Sequence, residues 1–297
     1  MSAQTPYQLE LNTYVWTLKG PDASRFLSGV SSPHINRSGY QDKQFSGRGL
    51  FLNPKGKLLA PYIFRHLAHD HVELRLDLFD QIDQINQALF NEIDSILIAD
   101  KVEMTKISEK VYRVFDEEFK IKYADPFNDR SDDLLAMGGE SKIPLTFLDM
   151  PSYEVWGENP GFESIESDKL NSCEFSSRYL RFPTEAQAGD LPLEFCYKDA
   201  ISFFKGCYRG QETISMATFR GKLTKSLCVV ESDKALNVMD EVTDKEGAKL
   251  GVIRKVVKDN FALALLKFKT PDVIETSSGQ NITIVERLVP ETNERFK

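Results

Sequence analysis

Residues 72 to 96 change hydrophobic period midway, and that change limits what the chain can fold into. In VELRLDL, Val72, Leu74, Leu76 and Leu78 alternate with polar residues, the pattern of a half-buried strand. Beyond it, Ile82, Ile85, Leu89, Ile93 and Ile96 fall three or four positions apart, one apolar stripe on a helix capped by Asp80. A strand running into an amphipathic helix calls for a sheet with helices laid on it. The flanking segments extend the pattern. LELNTYVWTLKG reads as a strand ending at Gly20, and GPDASRFLSGV as a short helix with Pro21 early and Phe26, Leu27 and Val30 on its apolar face. GRGLFLNPKGKLLAPYIFRH reads as a hairpin turning at Asn53, Pro54, Lys55 and Gly56. KVEMTKI and KVYRVF read as further strands. Strand, helix, strands, helix, strands is an α+β order and not a doubly wound parallel one.

Two regions depart from this texture. Residues 125–150 are rich in turn formers and acids, which predicts a surface loop or insertion, with a short helical turn at LLAM. After residue 225 the runs SLCVVES, GAKLGVIRKVV, FALALLKF and NITIVERL are short and β-rich, with DKEG and DN as turns. They predict a small antiparallel barrel or sandwich.

With 297 residues the chain has room for two domains or three small ones. A net charge of −8 argues against a protein that coats nucleic acid or an anionic membrane. The first residues, MSAQTPYQLELNTYVW, carry no secretory pattern, and no run approaches 18 apolar residues, so neither export nor a membrane span is expected. Cys173, Cys196, Cys207 and Cys228 stand at least eleven residues apart, with no C-x-x-C pair. Free thiols in a reducing cytoplasm are the expectation, and a zinc knuckle or redox dithiol is not. His66, His69 and His71 imitate a metal motif, but ligands on one short turn are not pre-organised, and a polar hairpin turn is expected there. His34 stands alone, with no local signature of a Cys–His or Ser–His–Asp system.

The stretch that concentrates chemistry is KGCYRGQE, residues 205–212. Between Lys198 and Lys225 six basic residues (Lys198, Lys205, Arg209, Arg220, Lys222, Lys225) face two acids (Asp199, Glu212), a local +4. Flanking cations favour a thiolate, and glycines let a ligand approach the backbone. Cys207 could equally be a small buried residue between turn glycines. A flat polar ligand with carboxylates would suit the first reading, with Gln211 or Glu212 as hydrogen-bonding partners.

Lys205, Gly206, Cys207, Tyr208, Gly210, Gln211 and Glu212 match the K-G-C-Y-x-G-Q-E signature, and here the chain resembles the YgfZ family. LKGPDASRFLSGVSS, FLNPKGKLLA, LPLE before KDAISFFKGCY, and KEGAKLGVIR with FALALLKF are similar to further family segments, over roughly residues 10–270. Residues 125–175 match none of them. The resemblance implies a three-lobed α+β fold shared with the glycine-cleavage T-protein, with residues 1–225 forming a two-lobed folate-binding region and 226–297 a C-terminal β-barrel. It implies tetrahydrofolate or a derivative as the cofactor. The partners it implies are iron–sulfur client enzymes, tRNA-modifying ones among them, or cluster-assembly proteins; the acidic balance and the lack of a long apolar run add the expectation of no direct nucleic-acid binding and no membrane. Cys207 is the expected reactive residue. Lys205, Tyr208, Arg209, Gln211, Glu212 and Glu194 are the expected folate-binding residues, Lys205 and Arg209 attracting the glutamate tail. The alternatives are an aminomethyltransferase and a plain folate-binding or folate-dependent demethylating protein. T-proteins carry aspartates in the hairpin, where this chain has Leu59, Ala60 and Pro61, and a pterin-holding glutamate where it has Pro183, with Glu185 two residues on. Alkyl side chains cannot relay a proton, so a folate-binding accessory role is expected over methylene transfer.

Overall fold

A computed structural model describes residues 5–120, 122–123, 136–137, 142–145, 147–195, 197–203, 205–220, 223–258, 260–276 and 279–288. β1 (Tyr7–Lys19) leads into α1 (Ala23–Val30), and β2 (Phe45–Leu52) with β3 (Leu58–Ala68) forms the expected hairpin. β4 (His71–Leu76), α2 (Ile82–Asp94) and β5 (Glu103–Phe115) follow. Short pieces come next: β6 (Lys122–Tyr123), β7 (Ala136–Met137), β8 (Ile143–Pro144), β9 (Ser152–Trp156) and β10 (Glu163–Ser164). Then come α3 (Ser167–Ser176), 3-10 turns at Pro192–Glu194 and Lys198–Ala200, and α4 (Gln211–Arg220). These strands make one sheet in the order β6-β7-β2-β3-β4-β1-β5-β9-β8, with β10 added in parallel to β1.

The second sheet holds β11 (Lys225–Ser232), β12 (Glu241–Thr243), β13 (Lys249–Lys258), β14 (Phe261–Lys267), β15 (Val273–Glu275) and β16 (Asn281–Leu288). Its order, β12-β13-β14-β11-β16-β15, is antiparallel throughout and curls into a nearly closed barrel. Alternation along its strands sorts the side chains. Cys228, Val230, Ala262, Ala264 and Leu266 fill its interior, while Leu227, Val229, Leu263 and Leu265 join the main core of the first body.

The large sheet is covered on both faces. Along β3, Tyr62 and Phe64 enter the main core with Trp16, Leu74, Leu89 and Ile93, whereas Ile63 faces a second cluster with Phe115, Leu170 and Tyr179. The half-buried strand expected at VELRLDL is therefore buried on both sides at its end, where Arg75 and Asp77 are 0% exposed. The α2 stripe holds through Ile93, but Ile96 lies beyond the helix and is exposed. Asp80 does not cap α2 directly. Gln81 is the N-cap, at φ 52°, and Asp80 Oδ1 accepts from the Gln81 N–H at 2.7 Å. α2 is pinned to β1 where Trp16 Nε1 donates to Asn86 Oδ1 at 3.0 Å. KVEMTKI and KVYRVF form one strand, β5, in unbroken register with β1 from Lys19↔Glu103 to Tyr7↔Phe115. Most of the expected 125–150 loop lies outside the described residues, as do Leu134 and Leu135 of LLAM. Ala136 is extended, pairing with Ser46 of β2, and not helical.

Candidate functional site

KGCYRGQE folds into a loop that ends in α4, and most of its residues bind to the protein itself. The Lys205 ammonium donates to the carbonyls of Ser28 (2.5 Å), Pro33 (2.8 Å) and Ser31. The Ser28 and Ser31 carbonyls belong to the last turn and C-cap of α1, which leaves them without helical partners, and a cation there also complements the helix dipole. The same ammonium sits 4.3 Å from the centroid of Tyr208, whose ring is buried in the main core. The Arg209 N–H donates to the Gly29 carbonyl at 3.2 Å, and its guanidinium pairs with Glu92 of α2 at 2.6 Å. Gln211 Oε1 accepts from the Tyr208 N–H at 3.3 Å, and the Gln211 N–H donates to the Tyr208 carbonyl at 3.2 Å, closing the loop at the start of α4.

The hairpin turn packs against this loop. Gly210 has φ +82° and Gly56 φ +68°. A Cβ on Gly210 would lie 2.6 Å from the Asn53 carbonyl oxygen, and one on Gly56 would lie 2.9 Å from the Gly210 carbonyl oxygen. The two sequence motifs thus meet backbone to backbone, closer than any side chain allows.

Cys207 is exposed in this setting, whereas Cys173 and Cys228 are buried. Burial pushes both of those thiols above their ordinary range. Cys196 lies outside the described residues, as do Lys222 and the side chains of Lys198 and Arg220. Glu212 is exposed in the first turn of α4. Glu194 is buried, with Oε1 accepting from the Thr224 hydroxyl at 3.1 Å. The hairpin positions compared with transferase aspartates are apolar: Ala60 and Pro61 are buried and Leu59 is half-buried. Glu185 is held by Lys255 of β13, whose Nζ lies 3.1 Å from both of its oxygens and 2.7 Å from Glu174 of α3. Burial pushes the Glu185 carboxyl up, and Lys255 opposes that only in part.

Charges that motif reading missed lie under the sheet. Arg75 Nε donates to Glu154 Oε2 at 2.7 Å, Arg113 Nη2 reaches Glu154 Oε1 at 3.0 Å and Asp77 Oδ1 at 2.8 Å, and the Tyr179 hydroxyl donates to Asp77 Oδ2 at 2.7 Å. Burial pushes the Asp77 carboxyl up, but Arg113, Arg75 and Arg48 outweigh it and hold Asp77 well below the carboxylate range. Glu154 is lowered for the same reason, burial being overcome by Arg75 and Arg113. Arg48 of β2 lies beside this network, its guanidinium 4.2 Å from the Tyr197 ring and 4.3 Å from that of Phe147. Its Nε and Nη2 are buried without a hydrogen-bond partner among the described residues. They line a small cavity, about 10 Å³, walled by Phe147, Tyr179, Phe195 and Tyr197. The available signal was arginine within apolar runs, at GRGLFL and VYRVF. Among the described residues no cluster of His, Cys, Asp and Glu could hold a metal ion, and His66 is stacked on Phe45 at 4.3 Å.

Comparison with known proteins bears on this geometry. No family model matches the chain. The iron-sulfur cluster assembly factor IBA57 homolog, mitochondrial, of Dictyostelium discoideum is 23% identical over 265 residues, covering 75% of this chain and 62% of that relative. The chain thus spans less than two thirds of the relative's length. The crystal structure of glycine cleavage system aminomethyltransferase T from Bartonella henselae superposes with a TM-score of 0.66 at 10% identity, over 97% of this chain and 87% of that one. The fold is that of the T-protein. Relative and neighbour together match the YgfZ resemblance carried by the signature. Among the described residues of this YgfZ-like chain, no helix is long and apolar enough to cross a membrane.

Proposed function

We propose that this chain binds tetrahydrofolate or a derivative and supports the assembly or repair of iron–sulfur clusters in client enzymes, tRNA-modifying ones among them. Cys207 is its reactive group, as a thiolate or transient sulfur ligand. One observation carries the reading. Cys207 is exposed on a loop whose neighbours Lys205, Tyr208 and Arg209 are fixed to the body. A thiol presented this way is open to a partner's cluster, and a thiolate is a good ligand for soft metals. The relative is an iron–sulfur cluster assembly factor by name, and that role is carried over here as part of the proposal.

Folate is assigned to a cavity between the three lobes that the resemblance implies, with Arg209, Glu212 and Glu194 on its approach and Lys205, Tyr208 and Gln211 holding the loop. The aromatic walls around Arg48, whose Nε and Nη2 have no hydrogen-bond partner among the described residues, fit a flat polar ring in chemistry. The volume does not: about 10 Å³ holds one water, so folate binding at this wall requires the rings to part. The likeness to aminomethyltransferase T is one of fold. The apolar hairpin and the paired Glu185 favour the accessory role. The cytoplasmic location belongs to the same proposal, beside a relative that is mitochondrial by name.

The test combines a deletion strain with Cys207→Ser. The variant is expected to stay folded and bind tetrahydrofolate with wild-type affinity, while cluster-dependent enzymes lose activity as they do in the deletion. Tetrahydrofolate binding should weaken as salt rises, since part of the attraction is screened. Full complementation by Cys207→Ser would overturn the role of the thiol, and absence of binding at any salt would overturn the folate site.

A further inference from the structure

The outer side of the C-terminal barrel carries a second concavity, about 210 Å³, remote in sequence from KGCYRGQE except at Lys225. Its lining holds Lys225, Lys249, Arg254 and Lys267 and no carboxylate, with the half-buried Leu250 and the buried Leu265 in its wall. Four cations converge here in a chain whose net charge is −8.

Two of the four are compensated. Arg254 pairs with Asp190 at 3.0 Å, and Lys249 with Glu241 at 2.5 Å. Lys225 and Lys267 have no carboxylate at ion-pair distance among the described residues. They are direct cross-strand partners in the β11–β14 register. Like charges placed opposite each other on a sheet work against its stability, so folding does not account for this pair. The Lys267 ammonium donates to the Lys249 carbonyl at 2.5 Å, which fixes it across the strands that border the cavity. The excess is two positive charges beside an apolar surface.

We propose that this cavity binds a small polyanion carrying at least two carboxylate or phosphate groups. Its oxygens lie between the Lys225 and Lys267 ammonium groups, beside the half-buried Leu250. Cation clusters of this kind form strong, charge-assisted hydrogen bonds to such groups. The inference does not depend on the folate reading, and no arm of its test contains folate.

The experiment uses the full chain, with thermal unfolding and calorimetric titration against citrate, pyrophosphate and sodium chloride at matched ionic strength. Citrate or pyrophosphate should raise the unfolding midpoint beyond the chloride control, because a ligand of the native state stabilises it by mass action. A rise with citrate alone assigns carboxylates, a rise with pyrophosphate alone assigns phosphates, and a rise with both assigns charge as the criterion. The double variant Lys225→Gln, Lys267→Gln should keep its midpoint without ligand, since a repulsive pair is gone. Its affinity should fall about tenfold or more for each ammonium removed. The control Lys19→Gln, Lys234→Gln makes the same change in net charge elsewhere and should bind as wild type. If neither anion exceeds chloride, or if the two double variants weaken binding equally, the proposal is wrong.

Discussion

Replacing Gly210 by alanine should unseat the candidate loop, and Gly206→Ala four positions earlier should not. At Gly210 two costs add. The backbone stands at φ +82°, where an L-residue loses about 1–2 kcal/mol. The added methyl would also lie 2.6 Å from the Asn53 carbonyl oxygen and 2.9 Å from the Gly56 Cα. Both are backbone atoms of a turn that cannot rotate away, and overpacking of this kind costs about 1–3 kcal/mol. The sum, about 2–5 kcal/mol, is a large share of the roughly 5–15 kcal/mol of a typical domain. At about 2–4 °C per kcal/mol the unfolding midpoint should drop on the order of 10 °C. Gly206 has no atom within 4 Å of an added Cβ, so its alanine variant should stay within about 0.5 kcal/mol of wild type. Thermal unfolding of the three proteins side by side decides the matter. Equal losses in both variants, or no loss at Gly210, would show that the contact between loop and hairpin does not hold the fold as described.

A thiol-labelling time course on the native protein should modify Cys207 before Cys173 and Cys228, which are buried with raised thiols; labelling of either buried cysteine at the same rate refutes this. Asp77→Asn should cost about 3–5 kcal/mol near neutral pH, because it leaves Arg75 and Arg113 short of a buried counter-charge. Asp77 is lowered in the folded state, so the stability it contributes is present above the ordinary carboxylate range near pH 4 and is lost as pH falls. The gap between wild type and Asp77→Asn in denaturant titrations should therefore narrow below about pH 4, by up to about 1.4 kcal/mol per pH unit, and a constant gap contradicts the pairing. Supplied with tetrahydrofolate and an aminomethylated lipoyl carrier, the chain should release no ammonia or methylene-tetrahydrofolate above background. Turnover at the rate of a true T-protein would mean that an acid reaches the site after all.

Periodicity made β1, α1, the hairpin, α2 and the four long barrel strands legible, because each buries one face and so alternates or repeats visibly. It left α3 unread, since in SDKLNSCEFS the apolar positions Leu170, Cys173 and Phe175 do not fall on one stripe. It also misjudged VELRLDL. A two-residue period says which residues share a face, not whether that face meets water, and Arg75 with Asp77 looks like any solvated pair until β9 brings Glu154 beside it. The signature loop was legible as a motif, but the partners of its cations were not. Lys205 bonds carbonyls more than 170 positions away, at Ser28, Ser31 and Pro33, and no local pattern marks a backbone oxygen as an acceptor.

The packing of this shared fold also decides which acids lie near the hairpin and which are already paired. In the hairpin, Ala60 and Pro61 sit in the buried layer of the sheet. A carboxylate there would need its own buried cation; Arg75 and Arg113 already serve Asp77 and Glu154. Glu185 could have offered an acid from the neighbouring loop, but Lys255 reaches across from the barrel and binds both its oxygens, tying barrel to body through the same contact. The contact that holds body and barrel together thus occupies Glu185, while in the signature Cys207 and Glu212 face outward.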